Sequence, residues 1–342
     1  MKWETLARGF DGNLESWDDR DQRVRWNGIL IGNGASIAVW DQFLYSSIFE
    51  IASTEQIPHP LTAEDKALFT AFDRTTNFEQ ILSALATARK VNLSLGLNID
   101  PIQRRYESIQ NSLIETVHKV HVPWISVPTQ TLETIGSELR NYKYVYSTNY
   151  DLLIYWSVMQ SGPGGFIDYF FQREFNIQDT DVIDDNCTRV LYLHGGLHLY
   201  RLPTGTTLKR RQGAFRNLLN QFGTPFVGYP DAVPLFITEG EPASKLNSIN
   251  KSEYLSFAFR EFTEHEGNLV VFGHSLSDND DHIVKAIGNW GSRRIAIGLL
   301  PGTALNISRR KTNLLAKLPD AEVFFFNSTT HPLGSITLKI QP

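Results

Sequence analysis

Four short apolar runs in this chain, rich in β-branched or aromatic residues, each end in a polar or glycine-rich turn. The turns are Gly32-Asn33-Gly34-Ala35-Ser36, Ser147-Thr148-Asn149-Tyr150-Asp151, Leu193-His194-Gly195-Gly196 and Phe272-Gly273-His274-Ser275-Leu276-Ser277-Asp278. Strand-like runs that alternate with helical spacing predict an α/β fold with a mostly parallel sheet covered by helices on both faces. In such a sheet, ligands bind at the turns beyond the carboxyl ends of the strands. The four turns are therefore expected to converge on one bound nucleotide.

The rest of the chain supplies the elements. Trp26–Ile31, Tyr144–Ser147, Val190–Leu193, Val233–Thr238, Asn268–Phe272, Arg294–Leu299 and Glu322–Phe326 read as strands. A helix is expected from Ala35 through Glu50, with Ile37, Trp40, Leu44 and Ile48 on one face, and another over Leu246–Phe262. Helical segments are also expected at Asp281–Trp290 and Ile307–Leu318. Residues 61–140 change to a purely helical pattern, with a capping box at Thr76-Asn77-Phe78-Glu79 and amphipathic spacing over Ile102–Val120. We read one domain over residues 1–342, with residues 61–140 as a helical insertion.

Each turn has a bland reading and a chemical one. Gly32 and Gly34 let a main chain approach a pyrophosphate at a helix N-terminus, or simply make a tight turn. The third glycine of a dinucleotide fingerprint is replaced by Ile37. Asn149 carries two amide donors and an acceptor suited to hydroxyls or a held water, while Asp151 suits a helix cap. His194, followed by two glycines, has a pKa suited to proton transfer near neutrality, or is a core histidine. Gly273 permits close approach and Ser275 offers a hydroxyl, with Ser277 or Asp278 capping the next helix. His198 sits four residues after His194, but the strand context makes that spacing uninformative about a metal.

Composition narrows the classes. The hydrophobic fraction of 42% is that of a globular chain with a real core, and the net charge of −5 offers no bulk basic field for nucleic acid. Lys209-Arg210-Arg211 with Arg216 is read as a solvated loop or helix start. The lone Cys187 precludes a four-cysteine zinc ribbon and any internal disulfide. No apolar run approaches the ~20 residues that span a bilayer, and the charged N-terminal residues do not read as a signal peptide. A cytoplasmic protein without membrane contact is expected.

Taken in order, Gly32-x-Gly34-x-Ser36, Thr148-x-Asn149-x-Asp151, His194-Gly195 and Gly273-x-Ser275-Leu276 resemble the motifs of the sirtuin-like superfamily. The closer resemblance is to a bacterial sirtuin-like family. It also carries a segment like Glu239-Gly240-Glu241-Pro242-Ala243-Ser244-Lys245-Leu246 and a Gly-His-Ser-Leu-x-x-x-Asp turn. The likeness covers about Ile29 to Ile287. It implies a Rossmann-like sheet and an NAD site in which Asn149 and His194 are catalytic. By the same resemblance, Gly32, Asn33, Gly34, Ala35, Ser36, Thr148, Asp151, Gly273, His274, Ser275 and Leu276 hold NAD. The missing zinc ribbon sets the chain apart from the deacylases. Members without it are often NAD-hydrolysing effectors of anti-phage defence, and they use no metal. A gated NADase is thus expected, in a homo-oligomer or with a regulatory partner that senses infection. The alternatives are a nucleotide sensor without catalysis and an NAD-dependent deacylase or ADP-ribosyl transferase.

Overall fold

A computed structural model of the chain describes residues 12–18, 24–43, 48–54, 57–181, 186–211, 218–237, 242–289 and 293–340. Its centre is a seven-stranded sheet built from β1 (Trp26–Ile31), β2 (Tyr144–Ser147), β3 (Phe166–Ile167), β4 (Thr188–Tyr192), β8 (Asn268–Phe272), β9 (Arg294–Leu299) and β10 (Glu322–Asn327). The order is β10-β9-β8-β1-β2-β4-β3, and all neighbours pair in parallel. This is a Rossmann-like arrangement. β1 lies between β2 and β8, and Ile29, Leu30 and Ile31 along it are all buried. A strand covered on both faces needs a continuous apolar run rather than an alternating one, as the sequence reads there.

The helices follow in chain order. α1 (Asn33–Val39) leaves the first glycine turn, and α2 (Ile48–Ala52), α3 (Ala63–Ala71), α4 (Phe78–Ser94), α5 (Asp100–Val120) and α6 (Thr129–Leu139) fill the long connection from β1 to β2. α5 buries Ile109, Leu113 and Val117, one residue per turn on the same face, and its Pro101 start and His118-Lys119 end suit the helix termini. α7 (Leu153–Gln160) follows β2, and α8 (Leu218–Gln221), α9 (Pro242–Asn250) and α10 (Glu253–Thr263) precede β8. α11 (Asp281–Gly288) and α12 (Ala304–Lys317) separate the last three strands. Among the described residues no helix is long and apolar enough to cross a membrane.

Several expected elements are divided or moved. The helix expected over Ala35–Glu50 stops at Val39: Trp40 is extended and its indole donates to the Val120 carbonyl (3.2 Å), so a contact with α5 breaks the periodic run. Asp41–Phe43 is a single 3₁₀ turn, and Leu44 lies outside the described residues. The helix expected over Leu246–Phe262 is two helices, because Ser252 caps α10 by accepting from the Leu255 N–H (3.1 Å). The cap of α4 is Asn77, accepting from the Gln80 N–H; the Glu79 side chain lies outside the described residues. Trp290, expected to end α11, also lies outside them.

The run Val233–Thr238 does not join the main sheet. β5 (Gly195–Arg201), β6 (Thr207–Lys209) and β7 (Val233–Phe236) form a separate antiparallel sheet in the order β6-β5-β7. Gly195 makes this possible: its φ is +76°, and an added Cβ would stand 2.2 Å from the Leu235 carbonyl oxygen of β7. The basic cluster is only partly solvated, through the exposed Arg211. Lys209 and Arg210 are buried, Lys209 pairs with Asp168, and Arg210 lies over Tyr200 and donates to main-chain carbonyls of Thr224 and Pro225. Arg211 donates to three successive carbonyls, Phe170 to Gln172. Guanidinium forks used this way pin loops together. Arg216 lies outside the described residues.

Candidate functional site

The four turns emerge from β8, β1, β2 and β4, which are consecutive in the sheet. The chain order reverses between β1 and β8, and in such sheets ligands bind at the point of reversal. A crevice of about 930 Å³ lies there. Asn33 and Gly34, Thr148 and Tyr150, His194, and the whole of Gly273–Asp280 line it.

At the reversal the two glycine turns grip each other. The Gly32 N–H donates to the Phe272 carbonyl (2.9 Å) and the Gly34 N–H to the Gly273 carbonyl (2.8 Å). A Cβ on Gly34 would stand 2.7 Å from Gly273 Cα, and one on Gly273 would stand 2.4 Å from the Ala35 nitrogen. The glycines are therefore required first by contact between turns. This is the tight-turn reading of Gly32 and Gly34. Gly32, Ala35 and Ser36 do not line the crevice, whereas Asn33 and Gly34 do.

Behind this wall runs a buried hydrogen-bond chain. Asn149 donates its amide to the Gly32 carbonyl (3.1 Å) and to Ser36 Oγ (2.8 Å). Ser36 donates to Asp151 Oδ2 (2.5 Å), and Asp151 Oδ1 accepts the Leu153 N–H (2.9 Å). Burial raises the Asp151 carboxyl above its ordinary pKa, against the opposing hydrogen bonds from Ser36 and the Leu153 N–H. Asn149 and Asp151 are thus not on the crevice surface. Asn149 keeps one unused group, its buried Oδ1, which has no partner among the described residues. Asn149, Ser36 and Ala35 face a separate cavity of about 20 Å³, roughly one water in size.

At the other end of the crevice, His194 follows β4. Its Nε2 lies 2.9 Å from Nε2 of His282 on α11, with the two rings within 22° of parallel and their centroids 5.1 Å apart. Asp280 accepts from Lys245 of α9 (2.6 Å), and His274 Nε2 lies 3.8 Å from the same carboxylate. Burial, with Lys245 and His282 beside it, drives His194 well below the ordinary histidine pKa. His282 falls to about 4, chiefly through burial. Burial alone would raise Asp280, but His274, His194 and Lys245 outweigh it and hold the carboxyl at about 2. Near neutrality the site thus holds two neutral imidazoles beside a Lys245–Asp280 ion pair. His274 turns inward, its Nδ1 accepting the Leu276 N–H (3.0 Å), and Leu276 takes a left-handed φ of +49° to allow it.

His194, Asp280 and His282 are close enough to suggest a metal centre. The two rings themselves stand at hydrogen-bond distance. The centroid separation is about the N···N distance plus two ring radii, so the nitrogens face each other along one line. A tetrahedral zinc with Zn–N near 2.0–2.1 Å would hold two ligand nitrogens about 3.3 Å apart, against 2.9 Å here. The rings are spaced to share a proton instead. His198 takes no part: it is fully buried in β5 between Tyr155 and Tyr192.

The expected caps of the fourth turn are also absent. Neither Ser277 nor Asp280, at the N-terminal positions of the 3₁₀ turn and of α11, makes a side-chain cap bond, and Asp278 pairs with Lys317 (2.7 Å). Lys245 and Asp280 fall within segments singled out in the sequence. His282 had no such signal, being an ordinary buried position of an amphipathic helix. Residues 29–333 match the family described as a domain of unknown function, DUF4917, a span that takes in all four turns. A search of curated proteins finds no match.

Proposed function

The chain belongs to the DUF4917 family, and for it we propose hydrolysis of NAD to ADP-ribose and nicotinamide. The observation that carries this reading is the delivery of Asn33–Gly34, Thr148, His194 and Gly273–Leu276 to one crevice by four consecutive strands. The order of the motifs, which resembles that of sirtuin-like NAD sites, supports it. In the reaction the bond from ribose to nicotinamide breaks, and its electron pair leaves with the nicotinamide nitrogen. Water adds to the ribose carbon and its proton passes to solvent. Nicotinamide in NAD is already cationic, so it leaves as a neutral molecule and needs little acid assistance. The protein's part is to hold the two halves in place and stabilise the cation-like ribose. Neutral imidazoles suit that task better than charged ones, because an imidazolium would repel the developing positive charge.

In this reading His194 contacts the ribose or the attacking water, and Asn149 braces the first glycine turn from behind the crevice wall. Lys245, Arg310 and Lys317 line the crevice within reach of a diphosphate, and the two lysines are held by carboxylates, Asp280 and Asp278. Activity gated by assembly, a nucleotide signal or a partner subunit, and a role in anti-phage defence, belong to the same proposal. A nucleotide sensor without catalysis is the second reading, favoured by one observation: both amide protons of Asn149 are already spent inside the chain.

The test measures NAD loss by the purified protein, alone and with the proteins encoded beside it. His194→Ala is expected to lower turnover by about 100-fold. Asn149→Ala is expected to lower turnover as well as stability. Turnover indifferent to both substitutions sinks the hydrolase. NAD binding without turnover under every condition favours the sensor.

A further inference from the structure

Two neutral imidazoles whose Nε2 atoms face each other at 2.9 Å hold one proton between them. One ring must donate from Nε2, and the other must carry its own proton on Nδ1. The surroundings decide which. Nδ1 of His282 is buried with no partner among the described residues, so a proton there would be a buried donor without a protein acceptor. His194 lines the crevice, and with Nε2 taken its Nδ1 is the nitrogen that a bound molecule meets. A proton on that atom keeps water or ligand as its acceptor.

We propose that His282 is the positioning residue for His194: it donates Nε2–H to His194 Nε2 and so fixes His194 in the Nδ1–H tautomer. His194 then presents a neutral hydrogen-bond donor to the crevice, matched to a hydroxyl or carbonyl oxygen of the bound nucleotide, rather than a base. The other groups around the pair keep both rings uncharged. Lys245 of α9 opposes a second proton, and Asp280, the carboxylate on the near side, is already paired with Lys245. His274 of the fourth turn and Asp281 of α11 face the pair more distantly. Phe259 of α10 stacks on His282, with centroids 5.9 Å apart, and holds its plane. For its effect on turnover the inference rests on the hydrolase reading; the tautomer itself does not.

The first measurement needs no activity. Protein labelled with ¹⁵N-histidine, its His194 signals assigned from the spectrum of His194→Asn, reports each tautomer by long-range ¹H–¹⁵N correlation. Nδ1–H on His194 and Nε2–H on His282 are expected near neutral pH. In His282→Leu, His194 is expected to shift toward the Nε2–H form. An Nε2–H His194 in the unsubstituted protein overturns the proposal. For NAD turnover, His282→Leu is expected to lower kcat by about 100-fold with little change in KM, while His282→Gln, whose amide donates from a similar place, recovers about tenfold of that. Equal loss in the Leu and Gln variants overturns it too. The expected tautomers without any NAD turnover leave this inference standing and remove the hydrolase.

Discussion

Gly273 concentrates the demands of the site in one residue. Its φ is +68°, and a side chain there would strike the main chain of the first turn at Gly34 and Ala35. Gly162 also has a left-handed φ, +83°, but nothing lies within 4 Å of where its Cβ would be. Gly162→Ala should therefore cost only the backbone term, about 1–2 kcal/mol. Gly273→Ala should cost about 2–4 kcal/mol, because α1 must shift as well. Urea unfolding of the two variants separates these contributions, and equal losses would show that the turns do not need this contact. Glycine, asparagine and histidine at strand ends were legible residue by residue because their conformational freedom and functional groups are local properties. What each one does was not. Asn149 spends its amide on Gly32 and Ser36, and His194 meets a ring 88 positions away.

At the level of elements, Ser252 shows how one hydroxyl overrides a periodic pattern. The apolar positions from Leu246 to Phe262 fit one long helix, yet Ser252 Oγ caps α10 and also bonds Thr207 Oγ1 of β6 (2.8 Å). Ser252→Ala removes the cap and leaves the Thr207 hydroxyl unpaired in a buried place, so it should lower stability by about 1–2 kcal/mol. Ser277→Ala is the comparison, since Ser277 stands at an N-cap position without a side-chain cap bond, and its effect should stay within about 0.5 kcal/mol. Matching shifts in the urea midpoint would contradict the role given to Ser252. Strand boundaries were legible because burial on both faces writes itself as a continuous apolar run, as in Trp26–Ile31 and Asn268–Phe272. The breaks at Trp40 and Ser252 were less so: Trp40 turns to a partner on α5, and the apolar spacing runs on unchanged past the Ser252 cap.

Across the whole molecule, buried histidines make the fold sensitive to acid. His121 and His265, like His282, are lowered to about 4 by burial, against an ordinary 6.5. A histidine with a depressed folded pKa binds its proton in the unfolded chain first, so its contribution is complete above pH 6.5 and is lost as the pH falls toward 4. Each such group is worth up to about 3 kcal/mol over that window. Asp280 acts lower, its stabilisation present above the ordinary carboxylate pKa and lost only as the pH falls through about 2. Unfolding free energies from urea titrations at pH ~7.5 and ~4.5 should differ by several kcal/mol in favour of the higher pH; an unchanged value would mean that these rings are not held neutral. The sequence by itself determined the parallel α/β class, most strands of the sheet and the four turns, because backbone preference and two-sided burial act over a few neighbouring residues. Only the tertiary structure decided that those turns stand side by side, that two of them close on each other through their glycines, and that His282, Lys245 and Asp280 surround His194. Strand order and helix docking set those distances, and they are fixed by packing across the whole core.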